Sequence, residues 1–100
     1  MRSRSALLFV LMHIAGFSGA ATAQTLDQQR CAGPDPDISI GACTAMIQAG
    51  QETQENIAKA FGNRGNAYFG KGQYDRAIED YDQAIRIIPN FADAFVNRGD

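Results

Sequence analysis

The second half of the chain repeats apolar residues with the period of an α-helix. Between Arg76 and Ile88 these side chains recur at steps of three and four residues, which places them on one face of a helix. They are Ala77, Ile78, Tyr81, Ala84, Ile85 and Ile88. Asp75 stands where an N-cap belongs, and Pro89 cannot continue the helix. The pattern therefore predicts a helix from Arg76 to Ile88 that Asp75 caps.

A second helical pattern precedes it, over residues 57–70. Large and small residues share one predicted buried face, namely Ile57, Ala58, Phe61, Gly62, Gly65 and Tyr68. Gly72 ends this helix. The polar residues 51–56 form either a turn or the opening of the helix, and Thr53 is the candidate N-cap.

A third predicted helix lies nearer the N-terminus, over residues 38–49. Its apolar residues with helical spacing are Ile40, Cys43, Met46 and Ile47. Asp35 or Asp37 is available as the N-cap, and Gly50 supplies a stop. Residues 24–37 are polar and broken by prolines, so they are predicted to be a linker.

Two short segments of the chain are nearly identical. Residues 61–65 read Phe-Gly-Asn-Arg-Gly, and residues 95–99 read Phe-Val-Asn-Arg-Gly, 34 residues later. Asn90 and Asp93 open a further predicted helix that contains the second copy. Because this helix reaches Asp100 without a stop signal, we expect the repeat array to be incomplete in this sequence.

The spacing resembles the tetratricopeptide repeat family, whose period is about 34 residues. Over residues 58–91 the family's small and aromatic positions are matched by Gly65, Tyr68, Ala77, Tyr81, Ala84 and Pro89. Phe61 stands where the family favours Trp, and Arg64 where it favours Leu. The resemblance implies an all-α fold, an α-solenoid of antiparallel helix pairs, with one repeat at 57–90 and the start of a second at 91–100.

The family's packing gives several of these residues a structural role. Gly65 and Ala77 are small because the two helices of a repeat approach closely there. Arg64 is then partly buried, and its guanidinium can pair with Asp80 on the next helix. Upstream, residues 38–56 fit either a capping helix or a degenerate first repeat.

The resemblance implies a protein or peptide partner, bound on the concave surface of the stacked helices. In this family the first helix of each repeat lines that surface. The candidate partner-binding residues at those positions are Lys59, Asn63, Asn66, Phe69 and Asn97. For Asn63 and Asn97, hydrogen bonding between neighbouring helices is an equally good interpretation.

The N-terminus has the features of a secretory signal peptide. Arg2 and Arg4 precede an apolar run over residues 6–15, and Ala-Thr-Ala at 21–23 is a small-x-small cleavage site. The run is shorter than the roughly 20 residues that cross a bilayer. Residues 1–23 are therefore predicted to be removed on export to a periplasm, with only transient membrane contact; a retained membrane anchor is the alternative.

Charge argues against a nucleic-acid partner. Cleavage before Gln24 removes two of the nine basic residues and leaves seven against eleven acidic ones, so the formal net charge falls from −2 to −4. Proteins that bind nucleic acid normally cluster Lys and Arg to neutralise phosphates, and this chain has no such cluster.

Cys31 and Cys43 are the two cysteines of the chain. An even number of cysteines in a small exported chain favours a disulfide. A metal site would need further ligands, and a catalytic thiol would need a base that the exported chain lacks. The sequence therefore predicts a Cys31–Cys43 disulfide.

Two classes of function stay open. The first is an interaction scaffold, and the second is a regulatory or targeting arm of a larger enzyme whose catalytic part lies outside this sequence. The chain itself is predicted not to be an enzyme, because no nucleophile, base and orienting group can be assembled. No cofactor or metal site is predicted either, since Glu79, Asp80 and Asp82 spread over a polar helix face.

Overall fold

The computed structural model describes residues 25–90, which form four α-helices and no β-strand. Helix α1 covers residues 25–31, α2 Pro36–Ala49, α3 Gln54–Gly70 and α4 Tyr74–Ile87. The predicted all-α fold is confirmed. None of the helices in this described part has the length and apolar character needed to cross a bilayer. The predicted signal peptide at 1–23 and the predicted second repeat at 91–100 lie outside the described residues.

Helix α3 packs against both α2 and α4. Against α2, Lys71 just beyond the end of α3 forms a salt bridge with Asp37 at the start of α2. Nearer the middle of both helices, Arg64 donates a hydrogen bond to Thr44. Later residues of α3 thus meet earlier residues of α2, so the two helices are antiparallel, as a short connection favours.

The α3–α4 pair is also antiparallel, and the two helices approach closely at Gly65. A Cβ atom added at Gly65 would lie 2.7 Å from Cε1 of Tyr81 and 3.2 Å from the carbonyl oxygen of Ala77. Further along α3, the ring of Phe69 meets that of Tyr74 at the start of α4. The prediction that Gly65 must be small because the helices approach closely is confirmed.

The starts of α2 and α3 are set by side-chain caps. The carboxylate of Asp35 accepts hydrogen bonds of 3.0 and 3.1 Å from two backbone N–H groups of the first turn, so α2 begins at Pro36, before the predicted start. Gly50 ends α2 with a φ of 66°, in the left-handed region that glycine tolerates. Thr53 accepts from the backbone N–H of Asn56, so part of the polar segment opens α3.

The predicted cap of α4 is wrong. The helix begins at Tyr74 with Gln73 in the N-cap position, and no side chain caps it. Gly72 adopts a φ of 77°, which turns the chain tightly after α3 and lets α4 begin earlier than predicted. Asp75 therefore lies inside the first turn, where its negative charge is next to the unpaired N–H groups of the helix start.

Helix α1 is a second departure from the sequence pattern. Residues 24–37 are predicted to be a linker, yet the first half of this segment is helical. Cys31 at the end of α1 forms the predicted disulfide with Cys43 of α2. A tertiary bond thus supports a helix that has no apolar periodicity of its own.

The core is built mainly from small residues. One cluster joins α1, α2 and α3 and consists of Cys31, Ala42, Cys43, Met46 and Ala60, with Ile47 packed against it. On α3 and α4 the buried apolar residues are alanines, namely Ala58, Ala60, Ala67, Ala77 and Ala84. Small side chains allow close helix packing, but each buries little apolar area. Polar contacts are therefore more important for holding the helices in place relative to one another.

Candidate functional site: an exposed face on helix α3

Arg64 ties α3 to both of its neighbours. Its guanidinium donates two hydrogen bonds of 2.8 Å to the Asp80 carboxylate on α4 and one of 3.0 Å to the Thr44 hydroxyl on α2. The side chains of Arg64 and Asp80 are only 18% and 6% exposed. The hydrogen bond to Asp80 raises the pKa of Arg64, against a smaller opposing effect of burial. The predicted Arg64–Asp80 pair is confirmed, in bidentate form.

Two aromatic rings complete the surroundings of Arg64. Its guanidinium carbon lies 5.5 Å from the ring centroid of Phe61 and 5.9 Å from that of Tyr68. These distances are in the range of cation–π contacts. The side chain is thus held from several directions, which fixes the rotation of α3 about its axis and so decides which residues of α3 meet solvent.

One side of α3 carries four of the five predicted partner-binding residues. Lys59, Asn63, Asn66 and Phe69 follow one another at steps of four, three and three residues, so they line up along the helix. We call these four residues the α3 face. Lys59, Asn66 and Phe69 are exposed, while Asn63 is half-buried. Asn97, the fifth candidate, lies outside the described residues.

Asn66 is oriented by the neighbouring helix. The hydroxyl of Tyr81 on α4 donates a hydrogen bond of 2.5 Å to Oδ1 of Asn66. The amide nitrogen of Asn66 carries two further N–H donors, and the residue is exposed. The bond from Tyr81 thus holds the side chain of Asn66 in one orientation on an exposed part of α3.

Phe69 forms an exposed aromatic pair at one end of the α3 face. Its side chain is 57% exposed, and Tyr74, whose ring lies edge-on with centroids 5.0 Å apart, is 56% exposed. The adjoining turn, residues 72–76, lines an open cavity of about 340 Å³. Two large rings that remain in water next to a concavity are an available apolar contact for a partner.

The other two residues of the α3 face are partly engaged. Lys59 makes a 3.4 Å salt bridge with Glu55 one turn earlier, and both side chains are well exposed. Such a pair contributes little and exchanges easily. The amide nitrogen of Asn63 approaches the Sγ atom of Cys31 at 3.9 Å, so α1 reaches this end of the face. For Asn63 the contact fits the structural interpretation better than a ligand-binding one.

Sequence reasoning missed the two tyrosines that support the face. It placed Tyr81 on the apolar face of the predicted helix and gave Tyr74 no role. Their contacts with Asn66 and Phe69 depend on the register of the α3–α4 pair, because Tyr81 is 15 positions from Asn66 in the sequence. Only the hairpin arrangement of the repeat, once assumed, could have indicated these contacts.

The α3–α4 helix pair matches a known protein family model. Residues 58–91 match the family model described as tetratricopeptide repeat. Searches of curated proteins and of solved structures found no match. The matched segment contains most of α3, the whole of α4 and the Arg64–Asp80 pair between them. The helix pair of residues 58–91 is therefore similar to a tetratricopeptide repeat.

Proposed function

We propose that the chain is a binding module that holds an extended segment of a protein partner along the α3 face. A tetratricopeptide repeat is in general a protein–protein interaction module. The finer proposal is carried by one observation: Asn66 and Phe69 are both exposed, one helical turn apart, and each is supported by a tyrosine of α4.

Asn66 supplies the polar contact of this proposal. An extended peptide presents a backbone carbonyl oxygen at every residue, and the two N–H donors of Asn66 can reach one without regard to the partner's side chains. Tyr81 holds the amide in position before binding, which lowers the conformational entropy lost when the partner docks.

Phe69 supplies the apolar contact. Its ring has two rotatable bonds and rests against Tyr74, so little freedom is lost on binding while a large apolar area is covered. Aromatic side chains in partly enclosed positions are typical hot spots of protein interfaces. The partner segment should therefore place an apolar side chain over this pair.

The length of the face limits the size of the contact. From Lys59 to Phe69 the helix rises by about 15 Å, a distance that roughly four or five residues of an extended peptide cover. A contact of this size is small for a stable complex. We expect the α3 face to act together with equivalent faces of further repeats, of which Asn97 would mark the next.

The proposal includes no catalytic step. The ion pair of Arg64 with Asp80 is occupied by internal hydrogen bonds and is largely shielded from solvent. These groups stabilise the helix pair and are poorly placed to meet a substrate. Binding through the α3 face requires no change in them.

Substitutions on the α3 face test the proposal. Phe69→Ala should weaken the complex with a partner recovered with the full-length protein by about tenfold, because a hot-spot ring contributes roughly 1.4 kcal/mol or more. Asn66→Ala should weaken it by a smaller factor. Asp82→Ala, on the exposed side of α4, is the matched control. Calorimetric titration that gives Phe69→Ala and Asp82→Ala the same affinity would refute the binding role of the face.

We extend the proposal to the protein's location, which we place outside the cytoplasm. The support is the N-terminal sequence pattern of residues 1–23 together with the Cys31–Cys43 disulfide, a bond that persists in oxidising compartments. The intact mass of the protein from its native compartment, measured without reductant, should match a chain that begins at Gln24 and has lost two hydrogens through the disulfide. A retained Met1 with two alkylated cysteines would contradict export.

A further inference from the structure

Helix α1 has little apolar surface with which to hold itself on the rest of the protein. Over residues 25–31 the apolar side chains are Leu26, which is 43% exposed, and Cys31, which is 2% exposed. A helix this short does not persist alone in water. Cys31 is therefore the buried apolar residue through which α1 is attached.

Cys31 is embedded through its disulfide in the cluster between α2 and α3. Its partner Cys43 is fully buried, and Ala42, Met46 and Ala60 surround the pair. The Ser39 hydroxyl donates a 2.7 Å hydrogen bond to the carbonyl oxygen of Cys31. The disulfide is thus the main buried link between α1 and the α2–α3 pair.

Two further contacts of α1, both polar, reach toward α3. Gln28 donates a 3.0 Å hydrogen bond to Glu52 in the turn before α3, at an exposed position. Asn63 on the α3 face makes its weak 3.9 Å contact with the Cys31 sulfur. Exposed and sulfur-mediated hydrogen bonds stabilise little, because water competes for the same groups.

Helices α2 and α3 also hold together through contacts that do not involve the disulfide. Arg64 bridges from α3 to Thr44, and Lys71 pairs with Asp37 at the other end of the same interface. Met46 contributes apolar packing in the cluster. Loss of the disulfide therefore weakens α1 far more than it weakens the α2–α3 pair.

We propose that the Cys31–Cys43 disulfide is a redox latch: closed, it holds α1 against Asn63 of the α3 face, and open, it releases α1 while α2, α3 and α4 stay packed. Opening is thiol–disulfide exchange. A dithiol reductant cleaves the Sγ–Sγ bond, each cysteine sulfur leaves as a protonated thiol, and the dithiol becomes a cyclic disulfide.

Release of α1 changes the α3 face at one position. Asn63 loses its contact with Cys31, and its amide becomes available in line with Asn66. This consequence rests on the proposed function, since it matters only if the face binds a partner. Closed, the latch keeps the Asn63 amide in contact with Cys31; open, it adds this amide to the residues of the α3 face that can contact a partner.

Limited trypsin digestion of the full chain tests the latch without any partner. Arg30 lies exposed in α1, whereas Arg64 is held within α3. The Cys31→Ser, Cys43→Ser double variant, and wild-type protein treated with dithiothreitol, should both be cut after Arg30 about tenfold faster than the oxidised protein, because cleavage follows the open population. Cleavage after Arg64 should stay slow in all three.

Gln28→Ala is the matched control, because it removes the hydrogen bond to Glu52 and keeps the disulfide. It should leave cleavage after Arg30 close to that of the oxidised wild type. Equal rates after Arg30 in oxidised and reduced protein would overturn the latch. Simultaneous acceleration after Arg64 would overturn it as well, since the disulfide would then hold the whole fold. Neither result depends on whether the α3 face binds a partner.

Discussion

Asp80→Asn is expected to destabilise the protein by about 3 kcal/mol, the lower end of the range for breaking a buried ion pair. The substitution leaves the Arg64 charge without its carboxylate at a position where the side chain is only 18% exposed. An asparagine can accept one of the two 2.8 Å hydrogen bonds, but its amide nitrogen would face the other guanidinium N–H as a second donor. The lower end applies because Thr44 and the neighbouring rings still hold Arg64.

Urea denaturation followed by circular dichroism measures this loss, with Asp82→Asn as the control on the same helix. Asp82 is exposed, so its substitution should stay within about 0.5 kcal/mol of wild type. Replacing both partners, Arg64→Leu with Asp80→Leu, should recover most of the loss, because an apolar pair leaves no buried charge. A free energy of unfolding for Asp80→Asn within 1 kcal/mol of the control would contradict this account of the helix pair.

Gly65→Ala is expected to cost about 2 kcal/mol, as overpacking of a close interface does. The new Cβ would lie 2.7 and 2.9 Å from ring carbons of Tyr81 and 3.2 Å from the carbonyl oxygen of Ala77. The ring and the backbone of α4 would both have to move, and the shift would disturb the hydrogen bond from Tyr81 to Asn66. The gain in helix propensity, of roughly 1 kcal/mol, is already included in this net figure.

Gly41→Ala is expected to have the opposite effect on the stability of the same protein. Gly41 lies inside α2, and a Cβ there would meet nothing within 4 Å. Alanine should therefore stabilise the protein by about 0.5–1 kcal/mol through its higher helix propensity. Thermal denaturation should show the two variants shifting Tm in opposite directions, by several degrees for each kcal/mol. Shifts of the same sign would show that α3 and α4 do not approach at Gly65 as described.

The sequence predicted the repeat well because its signals are local or periodic. Steps of three and four residues gave α3 and α4, and the 34-residue spacing of Phe-Gly-Asn-Arg-Gly and Phe-Val-Asn-Arg-Gly indicated the architecture. Arg64 was informative because it departs from the apolar residue that the family favours. A charge in a half-buried position needs a partner, and Asp80 lies on the facing helix.

Features that depend on tertiary contacts were beyond the sequence pattern. The residues of α1 show no apolar periodicity, so no sequence pattern predicts this helix. Its support is a tertiary contact, the Cys31–Cys43 bond. The Asp75 cap was wrong because the φ of Gly72 decides where α4 begins. The support of Asn66 by Tyr81 required the register of two helices, which no local rule provides.

The central claim is that a partner lies along the α3 face, and site-specific photocrosslinking in the full-length protein tests it most directly. A photoreactive amino acid would replace Phe69 in one variant and Asp82, on the exposed side of α4, in the control. We expect a defined partner crosslinked at position 69, in a reaction that unlabelled wild-type protein suppresses by competition, and no crosslink at position 82. The same partner captured equally at both positions, or only at 82, would contradict it.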